Sequence, residues 1–106
     1  MIQNTLCSAI ASHNLVRFYY ASEKSPGIRI VEPYMIAYNQ RNNLILSAWF
    51  LEGASASKSG AERPPWREYM LDKISSLSIL EQTFAPPRPG YVPDGGKIFR
   101  NVQCAV

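Results

Sequence analysis

One histidine and two cysteines in 106 residues leave little from which to build a metal centre. Cys7 and Cys104 lie near opposite ends, no CxxC pair or Cys/His cluster occurs, and a zinc site is not expected. His13 has no partner in the local sequence to make it a general base. The eight carboxylates are scattered, with no pair spaced for acid/base work on one element. Pro93-Asp94-Gly95-Gly96 lacks the Lys-Ser/Thr of a phosphate loop, and reads as a turn. A catalytic triad and a dinucleotide fingerprint are missing too, so the expectation is a binding module with no cofactor and no metal, not an enzyme.

Long apolar runs are also absent. Nothing approaches the roughly 20 residues of a membrane-spanning helix. Residues 1–14 lack the basic start and apolar stretch of a secretory signal. These absences point to a cytoplasmic chain with reduced thiols. A bond between Cys7 and Cys104 is therefore disfavoured, and Cys7, beside Leu6 and Ile10 on a helix face, reads as a small buried apolar group.

What is present is globular. Hydrophobic residues make up 46% and charged residues 18%, and twelve aromatics favour strands. The net charge of +3 is mild: residues 1–85 hold eight basic against seven acidic side chains, residues 86–106 three against one. Duplex-DNA binders carry a denser basic face, so charge gives only a lean toward anionic partners.

Residues 3–13 have helical spacing in Leu6, Ala9 and Ile10, with Asn4 or Thr5 available as the cap and His13-Asn14 as the end. Alternation then predicts strands at 15–20, 28–38, 44–51, 66–71 and 74–80. Val16, Phe18 and Tyr20 share one face of the first. Pro33 has no N–H and marks a bulge or bend in the second. Trp49, in the most apolar segment, is placed in the core. Residues 52–65 read as a polar surface loop. The fold class is mainly β: a small Sm-like or SH3-like barrel of about five strands with a short N-terminal helix. The barrel domain spans 1–85. Residues 86–106 form an extended tail across it, anchored by Tyr91 and Phe99.

Leu6-x-x-Ala9-Ile10 leading into Val16-x-Phe18-x-Tyr20 resembles the opening of a WYL domain. Arg29-x-Val31-Glu32-Pro33-Tyr34 is similar to that family's R-x-V-E-P-Y, Leu44 to Trp49 occupies the place of its W-Y-L-x-A, and residues 69–74 follow its F-R-L-D-R-I. Ile45 and Met70 depart from it. The family's usual N-terminal helix-turn-helix reader is not in this sequence, so a stand-alone domain is expected.

The resemblance implies a regulatory module whose basic cleft takes a single-stranded nucleic acid or a nucleotide-type anion and so modulates a partner. The matching ligand-binding positions are Tyr20, Ser22, Arg29, Arg67 and Lys73. Stacking on Tyr20 and phosphate contacts from the three cations would carry binding, while half-buried and solvated roles for Tyr20 and Arg29 stay open. The alternative is a protein-interaction module, a homodimer or a docking unit for a larger regulator, with Ile45 and Met70 marking a degenerate pocket.

Overall fold

The fold is taken from a computed structural model that describes residues 2–53 and 65–106. It begins with helix α1 (Ile2–Ser12), which buries Leu6, Ala9 and Ile10. Asn4 and Thr5, expected before the helix as caps, lie inside it. His13 follows with φ 58°, turning the chain into β1 (Asn14–Tyr20). Val16 and Phe18 are buried there, whereas Arg17 and Tyr19 face out. The strand therefore sits between α1 and its neighbours with one face in the core.

β2 (Gly27–Tyr38) is the longest element and pairs antiparallel with three others. Its first half pairs with β1, through contacts such as Val16↔Val31 and Phe18↔Arg29. Its second half pairs with β6 (Arg100–Ala105), through Ile36↔Cys104 and Tyr38↔Arg100. β3 (Leu44–Gly53) runs along the opposite edge, and its register slips between Pro33 and Met35. The bulge lies where Pro33 offers no donor, and it lets one strand serve two neighbours.

β4 (Trp66–Met70), a 3-10 turn (Leu71–Lys73) and β5 (Ile74–Thr83) complete the sheet. The order is β4-β3-β2-β1-β5, with β6 added beside β2. The expected closed barrel is not formed: β4 and β5 are the two ends of an open six-stranded sheet, with no pairing between them among the described residues. Between them stands a three-residue 3-10 turn, and the contact across it is a side-chain one, Met70 N–H donating to the Tyr20 hydroxyl (2.9 Å), not a backbone ladder.

The core lies between α1 and the concave side of the sheet, where Phe18, Ile10, Leu46, Val16, Val31 and Ile36 are fully shielded. Each such side chain contributes about 1.5–3 kcal/mol relative to exposure. Trp49 is not in that core; it lies half-buried on the other face, against Trp66. The loop expected at 52–65 falls mostly outside the described residues, apart from Glu52 and Gly53, which extend β3, and Pro65, whose carbonyl accepts from Phe50 N–H.

Two expectations about the ends of the chain are corrected. Within the segment expected as an extended tail, residues 100–105 form a sixth strand of the sheet. Cys7 and Cys104 form a disulfide between α1 and β6, so neither is a free thiol. With α1 packed beside β6, the two Cα atoms come within 5.8 Å. The bonded pair also withdraws the argument from cysteine usage to a reducing compartment. Among the described residues, no helix is long and apolar enough to cross a membrane.

Candidate functional site

At the C-terminal end of β1 the chain must turn back into β2, and four of the five sequence-predicted residues gather there. Tyr20 pairs with Ile74, and Ala21 N–H donates to the Lys73 carbonyl (3.0 Å), which sets Ser22 next to the corner that carries Lys73. The Ser22 hydroxyl accepts from the N–H groups of Lys24 (3.3 Å) and Ser25 (3.2 Å), and so shapes the turn. Arg29 enters beneath that turn. Its guanidinium donates to the carbonyls of Ser25 (2.6 Å) and Gly27 (3.0 Å) and lies 5.6 Å from the centre of the Tyr20 ring.

Arg29 is only 4% exposed. Neither open reading, a solvated arginine or a free clamp, describes it fully, because its register opposite Phe18 turns it toward the core with Val31. A buried guanidinium is costly without a counter-charge. Among the described residues, Arg29 has no carboxylate at ion-pair distance, and its partners are carbonyls and an aromatic face.

Tyr69, which opens the 69–74 segment and was not among the expected site residues, completes this cluster. It is buried, edge-on to Tyr20 (4.9 Å) and Phe18 (5.1 Å). Its hydroxyl is buried with no hydrogen bond of acceptable geometry. Burial pushes the phenol up to about 12, against the opposing pull of Arg29 and Arg67, so it is a neutral donor near pH 7. Arg67 reaches the same neighbourhood from β4, with its guanidinium 5.1 Å from the Phe50 ring. The cluster thus offers cationic planar donors and a spare hydroxyl, a set suited to the oxygens of a phosphate or carboxylate. Among the described residues no group of acidic, histidine or cysteine side chains could hold a metal.

The opposite face of the sheet holds a second constellation that the sequence reading did not find. Glu32 is 3% exposed and accepts a bidentate pair from Arg88 (2.9 and 2.7 Å). The Arg88 guanidinium also lies 4.9 Å from the Trp49 ring centre. The Tyr34 hydroxyl donates to Glu32 (3.4 Å), and burial, with Glu32 adding to it, pushes that phenol up to about 12. Trp66 Nε1 donates to the Pro89 carbonyl (2.7 Å), and Tyr91 stacks on Trp66. The available signal was Glu32 itself, a lone acid in a strand otherwise bound for burial, whose cation lies 56 residues away.

The model of the WYL domain family matches residues 2–79. No curated protein and no solved structure matches the chain. The family match takes in α1 through most of β5, including all of the Tyr20–Arg29–Tyr69 cluster, and leaves out the segment that supplies Arg88 and β6. Covering well over half of the sequence, it shows that the chain belongs to the WYL domain family, a family of regulatory domains.

Proposed function

We propose that this is a ligand-sensing regulatory domain that takes the phosphate of a single-stranded nucleic acid or a nucleotide at the β1–β2 turn and modulates a partner in response. The observation that carries the reading is Arg29: a buried guanidinium with no carboxylate at ion-pair distance among the described residues, facing the buried hydroxyl of Tyr69, which makes no hydrogen bond of good geometry. An anion would meet both needs at once. Arg29 and Tyr69 contact the phosphate, and Arg67, Lys73 and Ser22 form the rim. Tyr20, with its hydroxyl engaged by Met70 and its ring beside Arg29, supports the guanidinium and leaves little free face for stacking.

The test is titration of a fluorescent single-stranded oligonucleotide at about 50 and 200 mM salt, with log affinity falling by about 0.7 per phosphate contacted for each log unit of salt. Arg67→Ala should weaken binding with the fold intact. Affinity indifferent to salt and to that substitution would remove the proposal. A second reading, self-association, is favoured by β5, an end strand with Ile79 at 43% exposure. Light scattering separates the two: a stable dimer without oligonucleotide affinity supports the latter.

A further inference from the structure

The segment after β5 carries Pro86-Pro87-Arg88-Pro89-Gly90-Tyr91, which lies outside the family match. It is laid against a recess on the sheet. Glu32 forms the floor, Trp49 and Trp66 the walls, and the Tyr34 hydroxyl is turned onto the carboxylate. Arg88 roofs this recess while its own side chain stays 40% exposed, so the clamp sits at the surface and its occupant could be exchanged. The recess reads three features of what fills it: a planar bidentate cation, an aromatic-facing guanidinium, and a proline carbonyl taken by Trp66 Nε1.

We propose that this face is a docking site for an arginine flanked by prolines on a partner chain, and that residues 86–91 are its resident occupant, displaced when the partner binds. Charge complementarity fixes the chemistry. Glu32 is the recess's carboxylate and Arg88 its only cation in an ion pair among the described residues, so whatever replaces the segment must bring a cation of its own. A tethered occupant acts at an effective concentration on the order of millimolar. A competing segment therefore gains the recess in multivalent contact, at correspondingly higher concentration, or once the resident arginine is gone.

The experiment uses the full chain carrying Arg88→Ala and the free hexapeptide Pro-Pro-Arg-Pro-Gly-Tyr. The peptide should raise the variant's melting temperature and shift the emission of Trp49 and Trp66. Wild type should need roughly tenfold more peptide, because the tethered segment competes. The lysine version should bind roughly tenfold more weakly, for want of the planar fork. A second variant, Arg88→Ala with Glu32→Gln, should not respond. If Arg88→Ala alone does not fold, the peptide should restore its circular dichroism. Silence of the folded variant at about 10 mM peptide, ten times that effective concentration, would overturn the proposal. So would failure to restore an unfolded one, or an equal response with Glu32→Gln.

Discussion

Cys7 of α1 and Cys104 of β6 are bonded across 97 residues of sequence, so the disulfide encloses nearly the whole fold in one covalent loop. Closing a loop of about this length removes conformational entropy from the unfolded chain, and native disulfides typically contribute about 2–4 kcal/mol. β6 has most to lose, because four of its six residues are exposed and β2 is its one strand partner among the described residues. Cys104→Ser, or a dithiol reductant, should lower the urea midpoint by a corresponding amount. Hydrogen exchange should quicken first in residues 35–38, which β6 covers. An unchanged midpoint would show that the bond contributes nothing to stability.

Arg29 separates charge from geometry. Its two carbonyl bonds, one from each terminal nitrogen, pin the 22–27 turn, and a lysine ammonium lacks that planar two-nitrogen fork. Arg29→Lys should cost about 1–3 kcal/mol in unfolding free energy and weaken oligonucleotide binding, yet leave the salt slope unchanged because the charge remains. Arg29→Ala should instead reduce that slope by about 0.7. Equal slopes for the alanine and wild-type chains would separate Arg29 from phosphate.

Much of this arrangement was legible in the sequence because it is local. Alternation placed strands at 15–20 and 44–51, inside the observed β1 and β3, and Pro33 announced the bulge through its missing donor. Tyr20 and Arg29 were paired by the family resemblance, and the β1–β2 hairpin register brings their side chains together. What stayed hidden is non-local. Nothing near Glu32 announces Arg88, nothing near Cys7 announces Cys104, and the exposed residues of β6 carry no strong strand pattern. Closure of the sheet was read from strand count, whereas it depends on whether the β4–β5 corner lets two backbones approach.

Phe18 should be the costliest core truncation at this end of the sheet. It is fully shielded and meets both Tyr69 and Tyr20 edge-to-face, contacts that α1 cannot collapse to replace. Phe18→Ala is expected to lose about 3–5 kcal/mol, measured by urea unfolding. Because the lost ring also supports Tyr69, oligonucleotide affinity should fall with it. A loss below about 1 kcal/mol would mean that the aromatic cluster is not packed as described.

Tyr69 has a signature at high pH. Its phenol titrates near 10 when exposed and near 12 in the fold, with burial as the chief cause. The folded state therefore keeps its proton while the unfolded state gives it up. The stability this group contributes is complete below pH 10 and is lost as pH rises from about 10 toward about 12. Tyr34 shares the direction and adds to the same alkaline loss. Tyr69→Phe removes one of the two contributions, so its urea midpoint should fall less steeply than wild type above pH 10. At pH 7 the same substitution deletes a buried hydroxyl that has no hydrogen bond, and stability should be unchanged or higher. Oligonucleotide affinity should nevertheless fall, since the hydroxyl is assigned to the phosphate. Parallel pH profiles for the two proteins would show that the hydroxyl is solvated in the fold, and unchanged affinity would take Tyr69 out of the site.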